Sequence, residues 1–147
     1  MSESLNDESL NAFNQRLFSL AQTLKIDAWV PENQVMDRVA LSFRKLLNFL
    51  AQHPSETQQT LLVFPAVHKT CDELVAIVQG IFAEAQQNGV FREDISVALL
   101  AQFFTAMLLQ MVQIPADPAG RHQQSLAAAR LFCKGAWLGE DFASPED

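Results

Sequence analysis

His68, Cys71 and Asp72 place three side chains of metal-ligand type within one short stretch, AVHKTCDELV. On a helix, positions three and four apart share a face, so the trio could offer an imidazole, a thiolate and a carboxylate to one ion. Equally, His68 could serve as base to a Cys71 nucleophile. Both chemistries need more than is written here. One helix supplies at most three ligands, and no second cluster of matching spacing exists, since His53 and His122 stand alone in or near expected loops. A cysteine nucleophile also needs an orienting third group and an oxyanion hole, and neither has a signature. Five scattered glycines make no phosphate-cradling loop. The sequence therefore reads as carrying no catalytic residues, no metal and no cofactor.

The bulk properties agree with a binding or regulatory role. A chain of 147 residues fits one domain, with 49% hydrophobic and 18% charged residues, which excludes a disordered or fibrous chain. Leu, Ala, Gln and Phe are abundant and Tyr is absent, a mix that favours helix over sheet. The formal charge of −7 repels phosphate backbones, so no direct nucleic-acid binding is expected. The start, MSESLNDESLN, has neither the basic nor the apolar region of a signal peptide. Cys71 and Cys133 show no CxxC spacing and read as reduced, mostly buried thiols of a cytoplasmic protein.

Periodicity divides the chain into six helices and no strand. The first runs from about Asp7 to Lys25, with Leu10, Phe13, Leu17, Leu20 and Leu24 on one face. The second, about Glu32 to Gln52, turns Val35, Val39, Phe43, Leu46, Leu47 and Leu50 inward, and Pro54 ends it. Ser55 with Gln58 has capping-box spacing and opens a short third helix, about Glu56 to Val63. The fourth, about Ala66 to Asn88, buries Val67, Cys71, Leu74, Val75, Val78, Ile81, Phe82 and Ala85, and Asn88-Gly89 turns the chain. The fifth starts at an Asp94 or Ser96 cap and runs to about Gln113, and the sixth covers about Arg121 to Leu138. The ends, residues 1–6 and 140–147, read as frayed.

From Ile95 to Val112 only Ser96, Gln102, Thr105 and Gln110 interrupt an apolar run. A membrane span is not expected, because two glutamines lie mid-segment and no Lys/Arg cluster flanks the run. Two readings remain: a central helix wrapped by the other five, or a helix with its own core on one side and a second chain on the other. The sixth helix favours the second, since Ala127, Ala128, Ala129, Gly135 and Ala136 form a small face that admits close helix approach. The expectation is a homodimer in which the fifth and sixth helices of two chains form a four-helix bundle. Its seam would use Leu100, Phe104, Leu108, Met111, Ala128, Leu131, Phe132 and Gly135.

The stretch VALSFRKLLNFLAQHP, Val39 to Pro54, resembles the helix that opens the ligand-binding half of TetR family transcriptional regulators. AEAQQNGVFREDI resembles that family's linker, with Gly, an aromatic, a charged residue and Asp ahead of the penultimate helix. The two helices after it resemble the family's dimerising pair. The resemblance covers about Asp7 to Leu138 in helix order and weak local patterns, and the family's N-terminal DNA-binding unit has no counterpart in these residues. It implies a sensor and dimerisation domain that binds a hydrophobic small molecule among the helices before the dimer pair. By the face assignments above, Phe43, Leu47, Phe64, His68, Cys71, Val75, Phe82, Phe103, Phe104 and Met107 would line that pocket. The alternative is that these residues fill an ordinary core. The domain would then be a helical interaction protein that dimerises with itself or with a full-length regulator and binds no ligand; a small helical enzyme ranks third.

Overall fold

The computed structural model describes residues 6–63 and 65–135, without the side chains of Glu32, Ala66 and Val67. Expectations for Phe64, Val67, Ala136 and Leu138, and for residues 1–5 and 140–147, lie outside what is described. All regular structure among the described residues is helical.

Each boundary has a local cause. Helix α1, Asp7–Gln22, starts where the Asn6 side chain accepts the Ser9 N–H at 2.7 Å, with Asp7 and Glu8 in the positive first turn. Helix α2, Glu32–Gln52, begins after Pro31 and stops before Pro54. Next come the single turn α3, Pro54–Thr57, and a π-helical stretch, Gln58–Val63. The Thr57 hydroxyl donates to the Leu50 carbonyl at 3.0 Å, adding a second donor to an end group of α2 that also accepts the His53 N–H at 3.2 Å. The expected third helix thus begins at Pro54 rather than after a Ser55 cap, because proline fits the first helical position.

The expected fourth helix is broken. Helix α4, Pro65–His68, is one turn, and Lys69 then takes a left-handed conformation, φ 58°, before α5, Thr70–Gln87. The buried Thr70 hydroxyl donates to Asn14 Oδ1 of α1 at 3.1 Å, a tertiary hydrogen bond at the start of α5. Helix α6, Val97–Val112, is capped by Ser96, whose hydroxyl accepts the Leu99 N–H. Helix α7, Pro118–Lys134, starts three residues before Arg121. There Asp117 accepts the Gly120 N–H at 2.8 Å and Pro118 occupies the first turn.

Helix α2 lies at the centre, packing chiefly along α7 and also on α6 and α1, while α5 pairs with α6 and α1. The last two helices touch each other only slightly. The core holds Leu17 of α1, Phe43, Leu46, Leu47 and Leu50 of α2, Leu74 and Phe82 of α5, and Phe104 and Leu108 of α6. One polar atom inside it is unmatched: Thr105 is 2% exposed and its hydroxyl finds no partner. A buried unsatisfied hydroxyl costs about 1–3 kcal/mol, less what an isosteric replacement still loses in fit. Thr105→Val should raise the melting temperature by roughly 2–4 °C for about 1 kcal/mol gained, as read by calorimetry. An unchanged or lower melting temperature would mean that the hydroxyl is satisfied after all.

The turn from α5 to α6 is built around Gly89, φ 76°, with Val90 N–H donating to the Ala85 carbonyl at 2.8 Å. The Gln86 amide spans the turn, donating to the Arg92 and Ile95 carbonyls, each at 3.0 Å. Arg92 grips Asp94 through two N–H donors at 2.5 and 2.6 Å on the surface, and this holds the Asp94 carboxyl below its ordinary range. A Cβ at Gly89 would meet nothing within 4 Å, so only the backbone opposes a side chain there. Gly89→Ala is expected to lower the urea midpoint by about 1 kcal/mol equivalent with an unchanged slope, the left-handed penalty net of unfolded-state entropy.

Candidate functional site

The residues expected to line an internal pocket divide into two groups. Phe43, Leu47, Val75 and Phe82 are buried. His68, Cys71 and Met107 are half-buried, and Phe103 is 51% exposed. Where a cavity was expected, the structure places a ring cluster. Phe43 of α2 stacks on Phe104 of α6 at 4.1 Å between centroids, and Phe82 of α5 meets Phe104 edge-on at 5.4 Å. Phe132 of α7 closes the cluster 5.6 Å from Phe82 and 5.8 Å from Phe104, with Phe91 of the turn 5.0 Å from Phe82. The void beside Leu46, Val78, Ile81, Phe82 and Phe104 measures about 10 Å³, no more than one water needs. These side chains fill one another's space, at about 0.5–1.5 kcal/mol per ring pair beyond area burial.

The metal-ligand trio is also taken apart. The break at Lys69 puts His68 on α4 while Cys71 and Asp72 lie on α5, so the shared helical face assumed from spacing does not form. No group of three or more His, Cys, Asp or Glu residues that could hold a metal ion occurs among the described residues. Burial, helped by Asp72, pushes the Cys71 thiol above its ordinary pKa. Cys133 is exposed as a residue, yet the crowding of its thiol raises that group to about 11, against a smaller opposing effect of Lys134. Both thiols are therefore protonated near neutral pH, where only the thiolate is nucleophilic. His122 lies within α7 rather than near a loop, and its Nδ1 stands 3.1 Å from Arg44 Nη1, tying α7 to α2.

The proposed seam residues show the largest displacement from expectation. Leu100, Phe104, Leu108, Met111 and Ala128 are all buried within the chain's own core, Phe104 at 2% exposure. Phe132 is half-buried in the ring cluster, leaving only Leu131 and Gly135 of that set exposed. The face of α6 that looks outward carries Leu99, Gln102, Phe103, Ala106 and Gln110 instead. Leu99 is 49% and Phe103 51% exposed, and Leu131 of α7, 50% exposed, adjoins Phe132 and so lies near the same level of the bundle. At 100° per residue, this stripe is turned from the expected one by about a single position.

Phe103 was expected in the pocket and Leu99 was not singled out; their outward position was not foreseen because α6 is apolar on every side, so hydrophobicity alone cannot phase it. The signal that could have found them is polar: Gln102 and Gln110 share the outward face with positions 99, 103 and 106. No helix among the described residues is long and apolar enough to cross a membrane. No protein-family model matches the chain, and neither the curated proteins nor the solved structures contain a match.

Proposed function

We propose that this chain is a regulatory domain of TetR type that works as a homodimer, with the outward stripe of α6 and the neighbouring part of α7 as its seam. The observation that carries this reading is the exposed row Leu99, Phe103 and Ala106 on α6. Exposed apolar side chains in a row mark an interaction surface more often than single ones do. Charge favours a second copy as the occupant. The whole of α6 carries no charged residue, although the chain as a whole stands at −7. Two copies that meet through α6 bring no like charges together, whereas most other pairings would. Helix order and the Gly89 turn before the penultimate helix support the family resemblance.

The filled ring cluster favours a second reading, in which the domain acts by association alone, with itself or with a full-length regulator, and holds no ligand in its interior. Light scattering at micromolar concentration tests the common element of both. The expected mass is twice the 16.4 kDa of one chain, and a monomer at that concentration would remove the dimer from either reading.

A further inference from the structure

A cleft of about 250 Å³ opens at the end of the bundle where the end of α2, the π-helical stretch, the end of α6 and the start of α7 converge. Its walls include Leu47, Leu50, Leu62, Met111 and Ile114, with Arg121 among them. Among the described residues, Arg121 is the one charged residue lining the cleft, and no acidic residue lines it. The guanidinium is half-buried and held in place: Nε donates to Asn48 Oδ1 at 2.7 Å and Nη1 to the Ala116 carbonyl at 2.9 Å. A guanidinium has five N–H donors, so three remain. No carboxylate lies within ion-pair distance of Arg121 among the described residues, where the single ion pair joins Arg92 and Asp94. In a chain of −7 net charge, a half-buried cation with no acid in ion-pair distance among the described residues, fixed beside apolar side chains, is poised for an anion.

The geometry points to a binding site for a small amphipathic monocarboxylate, with its carboxylate on Arg121 and its hydrocarbon part along Leu62, Val112 and Ile114, the apolar lining residues that keep accessible surface. The volume is just under the roughly 300–1,000 Å³ that holds drug-sized ligands, so the molecule is smaller than those. The half-open cleft combines apolar side chains with Thr57, Gln58 and the Arg121 guanidinium, which suits an amphipathic molecule rather than a purely apolar one. The inference does not rest on the dimer proposal, because the cleft lies at the bundle end and its readout is ligand binding rather than mass.

Calorimetric titration of the full chain with octanoate tests it. One saturable site is expected, with octanol at least tenfold weaker and inorganic phosphate without measurable heat. Arg121→Gln should weaken octanoate at least tenfold, and Arg121→Lys should retain part of the affinity. Arg121 also ties α7 to α2 through Asn48, so circular dichroism melts accompany each variant, and Ala51→Phe, which fills the cleft from α2 while leaving Arg121 intact, gives an independent loss of binding. Octanol binding as tightly as octanoate, phosphate binding equally well, or no octanoate heat from the folded wild type would each overturn the assignment.

Discussion

Phe103→Glu is expected to yield a folded monomer. The ring is half exposed in the single chain, so its loss touches the protomer's own stability by no more than about 0.5 kcal/mol, the usual range for surface substitutions. In a twofold seam the same residue enters twice. Fully burying a Phe side chain contributes ~1.5–3 kcal/mol, and only the exposed half of Phe103 is left to bury, so two rings lost amount to ~1.5–3 kcal/mol, or about 10 to 10² in the dimer dissociation constant. The two new carboxylates would also face one another near the axis, which adds repulsion. Light scattering across a dilution series, paired with circular dichroism, separates the results. A variant that keeps the dimer mass places the seam elsewhere, and one that loses helicity shows Phe103 to be part of the fold. Leu99→Glu serves as the neighbouring control, being exposed on the same stripe.

One position on, the outcome reverses. Phe104 is 2% exposed, stacked on Phe43 at 4.1 Å and edge-on to Phe82 and Phe132. Phe104→Ala removes the ring that joins α2, α5 and α7 and leaves a cavity the neighbours cannot fully collapse into. A loss of about 3–5 kcal/mol in unfolding free energy is expected from denaturant titration, a large share of the ~5–15 kcal/mol typical of a domain. A loss below about 1 kcal/mol would show that the ring cluster is loosely packed, and would reopen the interior as ligand space. Adjacent phenylalanines of one helix thus report separately on association and on folding.

Some of this was legible in the residues. Helix α2 spans Glu32–Gln52 as expected, because Pro31 and Pro54 act through the backbone of their immediate neighbours. The Ser96 cap and the Gly89 turn are likewise local chemistry. The Asp117-Pro118 start of α7 was written in the chain too, as a cap followed by a first-turn proline, three residues ahead of the expected start at Arg121. Of the candidate site, the inward placement of Phe43 on α2 and Phe82 on α5 followed from helical spacing, whereas that of Phe104 did not, since it was expected in the seam as well as in the pocket. That they meet ring to ring, with about 10 Å³ between them and their neighbours, did not follow either, because complementarity depends on side chains from four separate elements.

What the sequence determined by itself was an all-α chain punctuated by prolines, caps and one glycine turn, since those signals act over a few residues. Three things were left to the tertiary structure. The break at Lys69 lies beside the Thr70 to Asn14 hydrogen bond, a contact between residues 56 positions apart that local sequence does not reveal. The phase of α6 was undetermined because an apolar stripe marks a buried face only when the opposite face is polar, and here neither is charged. Packing of Phe104 against α2, α5 and α7 chose which side is interior and thereby left Phe103 outside. The cleft that holds Arg121 exists only where four chain segments converge, and no local pattern encodes a space that forms between them.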